Sequence, residues 1–126
     1  MSWEQPGFRL GSFVANADLS ANQFRFVRPV SVDTVDVMSA STQIAIGVQQ
    51  NKPVAGQAVD ICVNGVSKVV AGAAVTVNTE IMSDTVGRAI TAATTGNRVQ
   101  GIALEAASGA GVLIAVLLNK AERLLP

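Results

Sequence analysis

The chain has 126 residues, enough for one domain whose core needs no disulfide or metal staple. Apolar residues make up 49% of it and charged residues only 14%, well under the usual quarter, so much of its surface is of the kind that a partner or another copy covers. Nine basic residues balance nine acidic ones with no basic block, which excludes a nucleic-acid footprint, and the longest apolar run, residues 112–118, is far short of a membrane helix.

Residues 1–20 carry Trp3, Phe8 and Phe13 among Pro6, Gly7, Gly11, Ser12 and Asn16, and no regular period joins the rings. They read as an extended N-terminal arm ahead of a β domain over 21–126. Two roles stay open for the arm. Trp3, Phe8 and Phe13, with Arg9 as a polar contact, dock on a neighbouring subunit or another protein, or the rings close the base of the chain's own barrel. Ordering an arm costs about 1–2 kcal/mol per residue, which large rings with few rotors offset. The segment has no apolar core of a signal peptide.

From residue 21 onward, short β-branched runs separated by Gly, Asn and Pro predict an all-β domain. Phe24 and Phe26 alternate with Arg25, and the valine phase changes at Asp33-Thr34, where a turn or bulge belongs. Ile44, Ile46 and Val48 form a further run. The Asn64-Gly65 pair predicts a hairpin, with a three-residue loop that sets Lys68 against Asp60. Ala71-Gly72-Ala73 reads as a turn before a strand from Val75 to Val77. Ser83-Asp84-Thr85-Val86-Gly87 reads as a short hairpin, and Gly96-Asn97 as a turn into a strand ending at Leu104. The run 112–118 is apolar on both faces, so it is either central or covered by another subunit, with Val112, Ile114, Val116 and Leu118 as the candidate interface. Residues 119–126 predict one helical turn on Leu124 and Leu125.

One phrase occurs twice. Gly47-Val48-Gln49-Gln50 leads through a glycine-bearing loop to the run from Val59 to Val63, and Gly101-Ile102-Ala103-Leu104 leads through a similar loop to the run from Val112 to Val116. Two such units in a small chain imply a closed or nearly closed β structure.

The chemistry is sparse. With no histidine there is no general base near neutral pH and no Ser-His or Cys-His pair, so no enzyme activity is expected. Cys62, the only cysteine, reads as a small apolar residue. Asp33 and Asp36 fit no calcium loop, and Gly109-Ala110-Gly111 precedes a strand rather than a helix, so neither a metal nor a phosphate ligand is expected and no cofactor is called for.

The segments Gly47-Val48-Gln49-Gln50-Asn51-Lys52-Pro53, Val66-Ser67-Lys68-Val69-Val70-Ala71-Gly72-Ala73, Ser83-Asp84-Thr85-Val86-Gly87-Arg88-Ala89 and Gly101-Ile102-Ala103-Leu104-Glu105-Ala106 resemble the capsid cement (head decoration) proteins of tailed bacteriophages. The resemblance covers about three-quarters of the chain, and the arm is less family-like. It implies a small β-barrel or β-tulip-like module, made in the host cytoplasm, that sits on the outer surface of the virion. Its implied partners are the major capsid protein and further copies of itself, as a homotrimer. Two other readings are a biotinyl- or lipoyl-like carrier, which needs a modified lysine at a hairpin tip, and a virion-surface carbohydrate-binding module, which needs exposed aromatic platforms.

Overall fold

In a computed structural model, which describes residues 5–40, 42–92 and 98–124 and their side chains over 13–40, 42–92 and 98–118, the described residues form nine strands and no helix. The strands are β1 (Gln5–Ala15), β2 (Phe26–Ser31), β3 (Thr34–Val37), β4 (Gly47–Gln49), β5 (Ala58–Val70), β6 (Glu80–Ser83), β7 (Ala89–Thr91), β8 (Arg98–Ala103) and β9 (Leu113–Leu124). Their order in the sheet is β1-β3-β2-β4-β5-β9-β8-β6-β7, and β1 also pairs with β5. That extra pairing closes β1, β3, β2, β4 and β5 into a five-stranded barrel.

The remaining strands repeat the plan 54 positions later. Val27 pairs with Gly47 and Val37 as Ile81 pairs with Gly101 and Thr91, and Phe26 pairs with Val48 as Glu80 pairs with Ile102. The turns before β2 and β6 match too: Phe24 (φ 64°) donates its N–H to the Gln49 carbonyl at 2.7 Å, and Asn78 (φ 67°) donates to the Ala103 carbonyl at 2.8 Å. Each unit is closed by a strand running parallel to its hairpin. In the first, β1 does this through Ala15 and Val35; in the second, β5 does it by running on to Ala71, which bridges Ala89. Ala15 N–H donates to the Gln57 carbonyl at 2.9 Å, and Ala71 N–H to the Val112 carbonyl at 2.8 Å. The twice-occurring phrase of the sequence is therefore one of two copies of a strand–loop–strand hairpin, β4–β5 and β8–β9.

Strand β5 belongs to both units. One edge pairs with β1 from Ala58 to Val66; the other pairs with β4 at Ile61 and Cys62 and then with β9 from Gly65 to Val70. The predicted hairpin at Asn64-Gly65 does not form: both residues lie inside this 13-residue strand. Gly65 adopts φ 87°, a conformation glycine supplies without a Cβ clash, at the point where β9 takes up pairing. Lys68 consequently faces Ala115 of β9, not Asp60. Residues 119–124 do not make the predicted helical turn but continue β9, whose Leu124 pairs with Arg98; Leu125 lies outside the described residues. Only Val75 of the predicted Val75 to Val77 strand pairs, through a single bridge to Ala107. The turn at Asp33 and the hairpin over Ser83 to Gly87 are present, while Gly96-Asn97 lies outside the described residues.

Two apolar clusters fill the fold. Ala15, Leu19, Val27, Val35, Val59, Ile61 and Val63 form the first, inside the β1–β5 barrel. The second joins Ile81, Ala89, Ala103, Ile114, Val116 and Leu118 of the repeat to Phe26, Val48 and Cys62 of the first unit. The outer wall of one barrel thus packs into the core of the other.

The Ser83–Arg88 turn is held by one side chain. Asp84 Oδ1 accepts the N–H groups of Val86 at 3.0 Å and Arg88 at 2.8 Å, and its Oδ2 accepts from Arg88 Nε at 2.8 Å. Asp84→Ala should remove all three and destabilise the fold by about 1–3 kcal/mol in urea unfolding, because two backbone donors lose their acceptor. Gly65→Ala should cost about 1–3 kcal/mol in the same measurement, because alanine is strained at that φ; unchanged midpoints for both variants would contradict this account of the turn and of β5.

Candidate functional site

The reactive side chains are committed to the fold. Cys62 is fully buried, and its thiol lies 3.1 Å from the Asn64 carbonyl. Arg88 pairs with Asp84 through its Nε at 2.8 Å. The Lys68 ammonium lies 5.6 Å from the centre of the Phe24 ring, in mid-strand, so the carrier reading loses the hairpin tip it requires. Asp33 sits in the β2–β3 turn, and Asp36 accepts from the Val37 N–H at 2.7 Å and from Asn16 Nδ2 at 3.3 Å. The Ser20 hydroxyl and amide both donate to Asp18 and hold its carboxyl below the ordinary value. Among the described residues no group of three or more His, Cys, Asp or Glu is arranged to hold a metal ion.

What the fold offers instead is surface. Among the described residues, eight large apolar side chains are exposed, including Val32 at 87% and Leu117 at 40%. Val32 occupies the tip of the β2–β3 hairpin, and its repeat counterpart Val86 sits at the tip of β6–β7. The second tip is docked on the first unit: Phe26 N–H donates to the Gly87 carbonyl at 2.8 Å, and Arg25 Nη1 to the Val86 carbonyl at 3.2 Å. The first tip is held by β1 instead, with the Val14 N–H donating to the Asp33 carbonyl at 2.7 Å, and the Val32 side chain stays exposed.

A second contrast runs across the strands. Phe26, Val48 and Cys62 form one cross-strand row, and each is at most 1% exposed. The matching row, Glu80, Ile102 and Leu117, is half-buried at its first two members and exposed at the third. The first row is covered by the second unit, whereas the second row lies at the outside of the repeat.

The side chains expected at an interface on β9 turn inward. Ile114, Val116 and Leu118 belong to the chain's own core, with Val112 packed against it, because β9 is a central strand between β5 and β8. Among the described side chains of β9, Leu113 and Leu117 are exposed, on the opposite face. In the arm, Phe13 packs against the first cluster, the backbones of Phe8 and Arg9 pair with Asn64 and Cys62, and Trp3 lies outside the described residues. Sequence reasoning passed over Val32; the phase change at Asp33 marked the turn, but nothing local shows that a valine at its tip stays uncovered.

No curated protein matches the chain by sequence. In fold it is similar to the N base of the head fiber protein gp8.5 of bacteriophage phi29, with a TM-score of 0.69 and 18% sequence identity, over 92% of this chain and 97% of that one. The family model described as phage cement protein matches residues 8–118, spanning β2 through β8 and most of β1, and so both copies of the repeat. A match of that extent, across segments that build the Asp84 turn and both strand–loop–strand hairpins, establishes that the chain belongs to the phage cement protein family.

Proposed function

We propose that this protein binds the outer surface of the icosahedral capsid and stabilises the junctions between major capsid protein subunits, as a homo-oligomer and most simply a homotrimer. Membership of the family makes it a structural protein of the phage capsid, and the match across both barrels is the observation that carries the reading. The fold of the phi29 head fiber base is consistent with a virion component. The low charge and exposed valines and leucines suit surfaces that are covered in an assembly. The mechanism is mechanical. Each ~100 Å² of apolar surface withdrawn from water contributes roughly 2.5 kcal/mol before association costs, and the contact recurs over the whole shell. In this reading the protein is made in the host cytoplasm and joins heads after they form.

Within that reading, Trp3, Phe8 and Arg9 contact the capsid or a neighbouring subunit, and Phe13 anchors the arm to its own barrel. The pairing of β1 with β5 supports such an arrangement, since it fixes where the arm leaves the barrel.

The test is binding of purified protein to heads of its own phage assembled without it. Saturable co-sedimentation at hundreds of copies per head, with heads more resistant to heating, is the expected result; no binding, or binding that leaves head stability unchanged, would sink the proposal. Trp3→Ala should weaken head binding at least about 10-fold, as aromatic anchors do, with no change in the melting temperature of the free protein. Removing residues 1–13 should lower that melting temperature sharply, because most of the strand that closes the first barrel is gone.

A further inference from the structure

Asn64-Gly65 is the only Asn-Gly pair in the chain, and it sits where the two barrels share β5. The pair carries latent chemistry. The main-chain nitrogen after an asparagine can attack the asparagine Cγ, and a glycine there leaves the approach unobstructed. Ring closure requires the Cα–C bond of Asn64 to rotate until the Gly65 nitrogen comes beside the Asn64 side chain, far from the extended value of a strand. The fold opposes that rotation from both sides. Asn64 pairs with Phe8 of β1, and Gly65 pairs with Pro6 of β1 on one edge and Leu118 of β9 on the other. The Asn64 carbonyl also accepts from the Cys62 thiol at 3.1 Å. Asn64 Oδ1 is buried with no hydrogen-bond partner among the described residues, so no donor there awaits a carboxylate.

We propose that Asn64-Gly65 is a self-modification site that folding switches off. In an unfolded chain the Gly65 nitrogen bonds to Asn64 Cγ, the Cγ–Nδ2 bond breaks, and ammonia leaves with the proton of the Gly65 N–H. Water then opens the cyclic imide at one of its two carbonyls. One opening gives aspartate; the other gives isoaspartate, whose main chain runs through the former side chain. Both products spoil β5. The aspartate places a carboxylate at the buried Oδ1 position. The isoaspartate adds a carbon to the main chain between Val63 and Gly65. A strand in register with β1 and β4 before Asn64 then falls out of register with β9 from Gly65 to Val70. Conversion is irreversible, so a chain that stays unfolded loses the ability to build the strand both barrels share, while a folded chain keeps it. The site needs no partner and does not rest on the capsid role.

The test compares folded and unfolded protein. Purified chain is kept in native buffer and in urea at the same mildly alkaline pH and temperature, and peptide mapping follows aspartate and isoaspartate at position 64. Conversion in urea should outpace conversion in the folded chain at least about 100-fold, because only a small unfolded fraction, ~10⁻³ or less, is open to it in native buffer. Asn22 and Asn51, which no glycine follows, serve as controls and should stay nearly unchanged in both. This rate comparison alone tests the switch. The aged urea sample is then refolded by dilution and separated by size-exclusion chromatography, with a freshly unfolded sample setting the native yield. Isoaspartate at 64 should be depleted from the native fraction and concentrated in the misfolded one. Similar rates at Asn64 in buffer and in urea would overturn the inference, as would an absence of conversion in urea. Isoaspartate shared evenly between the native and misfolded fractions would overturn it too, since β5 would then tolerate the product.

Discussion

The structure depends on one strand serving two barrels. β5 spans 13 residues; β1 lines one edge as far as Val66, while the other edge passes from β4 to β9. A strand has only two edges, so the edge given to β4 must be released before β9 can take it. The handover falls at Gly65, whose positive φ permits a local irregularity without ending the strand. Because β5 also closes the second barrel through Ala71, the two units are not beads on a linker. The segment that completes one is hydrogen-bonded into the other.

Shared backbone has let the two copies diverge in their side chains. Where the first unit has Gln49, whose amide donates to the Leu19 and Asn51 carbonyls at 2.8 Å, the second has Ala103 in the apolar cluster. Gln50 adds a bond to Ser67 at 2.9 Å, tying the loop after β4 to the middle of β5. What stays constant is the strand register and the close approach of strands at Gly47 and Gly101, where a side chain would meet the carbonyls of Cys62 and Leu117. A duplicated fold of this kind keeps its backbone contacts and varies what each face presents.

That economy suits a structural role. Polar groups such as Asp84, Gln49 and Asp36 hold loops and turns, and the cysteine is buried. The surface left over is lightly charged and carries isolated apolar residues at tips and edges. Such a surface gains little from any one contact and more from many repeated ones, which is what the proposed capsid role would supply.

The sequence by itself determined the β class, the absence of histidine chemistry, the duplicated strand–loop–strand phrase and the family resemblance. Each of these depends on residue type or on spacing within a few positions. The turns at Asp33 and Asp84 were legible for the same reason. The Asn64-Gly65 pair was misleading, because a local turn preference is weaker than long-range pairing with β1 and β9 along a strand. The faces of β9 were also undecided: a run apolar on both sides says that both are suited to cover, not which one the chain covers itself. Only the tertiary structure put Ile114, Val116 and Leu118 inside and left Leu117 and Val32 outside, because burial depends on what the rest of the chain brings to a surface.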